Sequence, residues 1–288
     1  GLRRKCFLKA MSHFKFELEE VDMSLTRVNP VKEKLRQGKV SLGSWMQIGH
    51  PVVAEILSQA GFDWIALDME HSDMSVRDFT DAARGMQDRV LPNSALPLAR
   101  VRENDTLAIR QVLDSGAWGV IVPLVNSADE AKRAVQAAKF PPEGIRGTAF
   151  FRGNDYGLSF HKYMEHANRE GLVIVMIETK EAVETIEKIL GVEGVDGVFI
   201  GPYDLSLSYG IPGKLDDPLM TTARRKVLEA CHKARKAAGI HMVQSDKSVL
   251  EATIEEGFTF IGLSMDTLFL DRSARETLQN ALLALKDR

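Results

Sequence analysis

Two carboxylates open the chemical reading of this chain. Glu178 directly follows the apolar run Leu-Val-Ile-Val-Met-Ile, and Asp204 stands four residues beyond the run Gly-Val-Phe-Ile. If those runs are adjacent strands, about 4.8 Å apart, the two charges would repel by about 3 kcal/mol at an effective dielectric near 20. A cation, a shared proton or an arginine has to offset that repulsion. Two carboxylates completed by water and substrate oxygens suit a hard divalent ion, Mg²⁺ or Mn²⁺. The alternative is that Asp204, ahead of Leu-Ser, caps a helix. No Cys/His cluster with zinc spacing competes.

A second group is Asp68-Met69-Glu70-His71. In an extended chain Asp68 and Glu70 share one side, and His71 falls in the turn beyond. A carboxylate beside an imidazole fixes its tautomer and raises its basicity, which suits a general acid/base; a plain helix start is the competing reading. Arg100 ends another apolar run, where a charge needs either a substrate oxygen to polarise or an acidic neighbour. Asp114, taken alone, reads as a surface carboxylate near a helix end. His50 precedes Pro51 and fits a pocket or a cap, and the other five histidines are assigned no role.

These residues need a frame. Apolar, β-branched runs occur at 40–47, 64–69, 96–101, 119–125, 172–177, 197–200, 240–244 and 258–263, with amphipathic helical patterns between them. Gly61, Gly116, Gly239 and Gly257 are read as left-handed helix ends. Strands apolar on both faces imply a parallel sheet, and eight alternating with helices imply a closed (β/α)8 TIM barrel, with an open sheet as the lesser alternative. Chemistry then belongs at the C-terminal ends of the strands, where all the groups above sit except Asp114. Neither a dinucleotide fingerprint nor a P-loop is present. The stretch 141–168 is long for a connection and is expected to be functional.

Composition narrows the classes. The chain has 288 residues, 44% apolar and 27% charged, with a net charge of −3. Such a balance excludes wholesale disorder and offers no basic field for nucleic acid or an anionic membrane. No apolar run approaches the roughly 18 residues of a membrane span. The two cysteines, Cys6 and Cys231, exclude a disulfide framework and point to a reducing compartment, and the lack of targeting signals leads to the expectation of a cytoplasmic location. Residues 1–22 are read as an N-terminal extension or, in preference, a vector-derived tail, with Met11 and Met23 as candidate starts, and 23–288 as a single (β/α)8 catalytic domain.

The ordered motifs resemble the HpcH/HpaI aldolase family of metal-dependent class II pyruvate aldolases. They include Gly43-Ser44-Trp45, Ala54-Glu55-Ile56, Asp63-Trp64, Asp68-Met69-Glu70-His71 and Gln111 through Ala117. Further on come Pro141 through Gly147, Glu193 through Pro202 and Met265-Asp266-Thr267. The resemblance implies Glu178 and Asp204 as metal ligands for Mg²⁺ or Mn²⁺, with Co²⁺ as a further candidate. It implies His71 as acid/base, Arg100 as enolate stabiliser, and Asp68 and Asp114 as residues that orient or tune the histidine. Tyr203 would offer its backbone N–H to the substrate carboxylate, Trp45 would line the aldehyde side, and Met176 stands where a substrate-contacting Gln is common. Tyr203 is larger than usual there. The Arg146–Arg152 loop and Gln244-Ser245 also depart from the family pattern, around the expected pocket. A homo-oligomer, trimer or hexamer, is implied. The activity implied is retro-aldol cleavage of a 4-hydroxy-2-oxo acid to pyruvate and an aldehyde. An acyl-CoA lyase on the same scaffold and a non-catalytic 2-oxo-acid-binding barrel are the alternatives.

Overall fold

The computed structural model describes residues 28–87, 94–244 and 246–286; the expected extension 1–22, with Cys6, and Ser245 lie outside them. Eight parallel strands close into a barrel in sequence order. They are β1 (Ser41–Met46), β2 (Trp64–Asp68), β3 (Leu96–Arg100), β4 (Gly119–Val122), β5 (Leu172–Ile177), β6 (Gly197–Ile200), β7 (Ala237–Met242) and β8 (Phe260–Met265). The principal helices outside them are α1 (Pro30–Arg36), α2 (Pro51–Gln59), α3 (Val76–Gln87), α4 (Thr106–Asp114), α5 (Ala128–Ala138) and α6 (Phe160–Glu170). They continue with α7 (Lys180–Glu184), α8 (Ile186–Leu190), α9 (Pro202–Ser208), α10 (Pro218–Ala234), α11 (Lys247–Glu255) and α12 (Asp266–Lys286).

Strand alternation divides the apolar side chains into two cores. Trp45, Trp64, Leu98, Ile174, Met176, Phe199 and Phe260 fill the barrel interior, while Ile65, Leu67, Val120, Val175 and Val198 face the helices. The interior aromatics need small neighbours. Trp64 stacks on Phe260 with centroids 4.2 Å apart, and a side chain at Gly239 would lie 2.6 Å from the Phe199 ring. This corrects one expectation: Gly239 is not a helix end but a strand residue that makes room for aromatics. Helix α10 stops earlier, at a left-handed Arg235 (φ 53°), so β7 starts at Ala237. The stretch expected to be one helix after β5 is broken into α7 and α8.

The long stretch after α5 also departs from expectation. It joins a helix to the following strand, so it belongs to the N-terminal end of the barrel, opposite the rim where chemistry is expected. Arg146 anchors it to Asp114 at 2.7 Å and stacks 4.4 Å from the Phe140 ring centroid. Arg146 and Arg152 both line a cavity of about 250 Å³ with Trp118, Tyr163 and His166, and Arg152 also borders a second pocket with Gly49, His50 and Asp78. Among the described residues no helix is long and apolar enough to cross a membrane.

Candidate active site

Asp68 organises the rim. It ends β2 in direct register with Arg100 at the end of β3, and it is 1% exposed. Its carboxylate accepts from Arg100 Nε at 2.9 Å and Nη2 at 2.6 Å. It also accepts from Gln47 Nε2 at 3.0 Å and from the backbone N–H groups of Glu70 (3.1 Å) and His71 (3.2 Å). Burial works against that charge, but the hydrogen bonds and charge of Arg100, then Gln47 and the His71 backbone, hold Asp68 below the usual aspartate value. Asp68 thus orients His71 through the backbone of the turn rather than through its ring.

Arg100 is gripped from several directions. Besides Asp68, Glu70 Oε2 lies 3.4 Å from its Nε, and the guanidinium carbon stands 4.6 Å from the Trp45 ring centroid. The carboxylate nearest the His71 ring is Glu70, with Oε2 at 3.8 Å from Nε2; the imidazole side chain is 55% exposed at the mouth. Burial pushes Glu70 up to about 7; the Arg100 charge opposes this, and Asp68 and Asp204 reinforce it.

Glu178 follows β5 and is 3% exposed. Its Oε1 accepts the Leu124 N–H at 2.7 Å, a donor presented by a left-handed residue (φ 52°) just after β4. Gly201 is needed opposite: a Cβ there would lie 2.8 Å from Glu178 Oε2. Burial raises Glu178 to about 7; Leu124 opposes the rise, and Glu70 and Asp204 add to it. Asp204 lies in the first turn of α9, which begins at Pro202 just after Gly201. Met176 is buried beneath this pair and Tyr203 is 49% exposed at the mouth.

The donor set fits a divalent ion. Glu70, Glu178 and Asp204 act on one another electrostatically with Arg100 as the cation that offsets them, and Glu70 Oε2 is buried without a hydrogen-bond partner. Three carboxylates thus share one guanidinium that is already paired with Asp68, which leaves the cluster acidic. Among the described residues no group of three or more His, Cys, Asp or Glu forms a complete ligand set, so Glu178 and Asp204 would leave positions for water or substrate oxygens, as Mg²⁺ prefers.

Asp114 is not part of this constellation within the chain. It ends α4, where a helix hands over to the next strand at the opposite end of the barrel, and its carboxylate is bound to Arg146. Within one chain Asp114 therefore does not reach His71. His50 proves to be a cap, its Nδ1 accepting from Val52 N at 3.2 Å. Two contributors escaped sequence reasoning. Gln47, which also reaches the His71 carbonyl at 3.4 Å, had only its place after β1 as a signal. The Leu124 N–H is a backbone group and had none.

The (β/α)8 barrel thus carries acid, imidazole and guanidinium groups on one rim beside the buried Glu178 and the half-buried Asp204, a set suited to activating a carbonyl. The HpcH/HpaI aldolase/citrate lyase family model matches residues 41–271, and the chain belongs to that family. A hydroxypyruvate/pyruvate aldolase of Pseudomonas aeruginosa is 36% identical over 251 residues, 86% of this chain and 91% of that protein. A 4-hydroxy-2-oxo-heptane-1,7-dioate aldolase of Salmonella heidelberg (strain SL476) is 36% identical over 248 residues, 85% and 92% of the two chains. The crystal structure of a family protein from Burkholderia cenocepacia J2315 superposes with a TM-score of 0.83 at 33% identity, covering 88% of this chain and 99% of that one. The chain is an enzyme of the aldolase type, a carbon–carbon lyase.

Proposed function

We propose that this enzyme cleaves a 4-hydroxy-2-oxo acid to pyruvate and an aldehyde, reversibly, with Mg²⁺ or Mn²⁺ at Glu178 and Asp204. The observation that carries this reading is the buried Asp68–Arg100 pair set beside Glu70-His71. It holds a fixed cation and a mobile proton carrier on one rim.

Glu178 and Asp204 would hold a divalent ion, which when bound would supply positive charge to polarise the 2-oxo acid. Arg100, immobilised by Asp68, directs its N–H donors at the C2 oxygen, where negative charge develops. His71 takes the proton of the C4 hydroxyl, with Glu70 beside the ring to stabilise the imidazolium. The C3–C4 bond breaks, its electrons pass to the C2 oxygen as an enolate, and C4 leaves as the aldehyde. Protonation at C3 completes pyruvate. Tyr203 lies in the first turn of α9, whose N–H groups lack intrahelical partners and suit the substrate carboxylate. Trp45 forms the floor, and Met176 replaces a polar contact with an apolar one.

A homo-oligomer, trimer or hexamer, is supported by Leu270, Leu278, Leu282 and Leu283, all exposed on α12. The test of the reaction is pyruvate release from 4-hydroxy-2-oxo acids, read by coupling to NADH oxidation. Activity in Mg²⁺ or Mn²⁺, abolished by chelator and by Glu178→Gln, is expected. Undiminished cleavage in the chelated Glu178→Gln protein would overturn the proposal.

A further inference from the structure

One polar group inside the barrel is unused by this mechanism. His241 lies on β7 opposite Gly262 of β8, the strand position whose Cβ would strike Trp45. It therefore points into the barrel, with its ring 5.9 Å from the Trp45 indole that also carries Arg100. Its Nε2 is 3.3 Å from the Ser264 carbonyl oxygen. A carbonyl only accepts, so the proton is on Nε2 and Nδ1 keeps its lone pair. Burial lowers the imidazole to about 4; the Ser264 carbonyl opposes this and the Arg100 charge adds to it, so the ring is neutral in the working range. The corner around it is short of partners: Trp45 Nε1 and Ser264 Oγ are buried without hydrogen bonds, and Ser264 is left-handed (φ 51°).

We infer that His241 is a specificity-determining residue, whose Nδ1 accepts a hydrogen bond from a substrate hydroxyl next to the carbon–carbon bond being made or broken. This inference rests on the aldolase reading and deepens it. A lone pair at that position repels a carbonyl or carboxylate oxygen, and the nearby Arg100 repels an ammonium. Within a 2-oxo acid and its aldehyde partner, a hydroxyl is the neutral donor that remains. The hydroxyl could belong to the 2-oxo acid, as in hydroxypyruvate, or to the aldehyde, as in glycolaldehyde.

The experiment measures kcat/KM in the condensation direction for two pairs: hydroxypyruvate against pyruvate with one aldehyde, and glycolaldehyde against acetaldehyde with pyruvate. His241→Leu should lower the hydroxylated-to-plain ratio by about tenfold in one pair, which identifies the source of the hydroxyl. His241→Gln, which keeps an acceptor, should hold that ratio within about threefold of the parent. Unchanged ratios in both pairs, or parallel losses on all four substrates, would overturn the inference. Absence of condensation by the parent enzyme would instead strike the aldolase reading itself, which keeps the two failures apart.

Discussion

Asp68→Asn isolates the group on which the rim is built. The parent carboxylate receives five hydrogen bonds, two of them from Arg100. Asparagine can keep its carbonyl oxygen toward Arg100 Nε and the two backbone N–H groups, but its amide then faces Arg100 Nη2 and Gln47 Nε2, donor against donor. Losing one bond to a charged group at about 1.5–3 kcal/mol and one neutral bond at about 1 kcal/mol gives about 2.5–4 kcal/mol. Glu70, 3.4 Å from Arg100, still partners the guanidinium and holds the loss near the lower end, about 3 kcal/mol. Urea unfolding of the two proteins should show this gap at pH 7, with a Tm about 6–10 °C lower for the variant.

The gap also has a defined pH course. Asp68 titrates lower in the folded protein than its ordinary 3.8, so its contribution is complete above that value and is lost as pH falls through the folded pKa. The difference between parent and variant should therefore shrink below about pH 4. Cleavage should fall about 10²-fold as Arg100 loses its fixed aim. A gap under 1 kcal/mol at pH 7, or one unchanged down to pH 3, would refute the role of Asp68 as the hub.

Gly201→Ala places a methyl 2.8 Å from Glu178 Oε2 and 3.1 Å from its Cβ; it should cost about 1–3 kcal/mol of stability and weaken Mn²⁺ binding measured by calorimetry, and unchanged Mn²⁺ affinity would contradict the placing of Glu178. Cys231 is 2% exposed, and burial pushes its thiol up to about 12. Its tryptic peptide should resist iodoacetamide at pH 8 in native protein and label fully in urea, as read by mass spectrometry.

Much of this was legible in the sequence. Parallel strands buried on both faces leave long apolar runs, so the barrel and the rim positions of Asp68, Glu70, His71, Arg100, Glu178 and Asp204 follow from strand order alone. The errors share a cause, because residue type does not report direction. Gly239 looks like a helix end and is a void for Phe199. His241 lies within an expected strand, and only the inward alternation Ala237, Gly239, His241 shows that it faces the barrel interior. Asp114 was singled out by resemblance alone, and its place within one chain, at a helix end, gives it no contact with the rim. Gln47 and the Leu124 N–H act through geometry that no composition or spacing encodes.

The central claim is that this rim generates an enolate with help from a divalent ion, and hydrogen–deuterium exchange at the pyruvate methyl group in D₂O tests it most directly by NMR. The account predicts exchange with Mg²⁺ or Mn²⁺ that is lost with EDTA and in His71→Ala. Folded, metal-loaded protein that shows no exchange, or exchange that persists unchanged in EDTA, would contradict it.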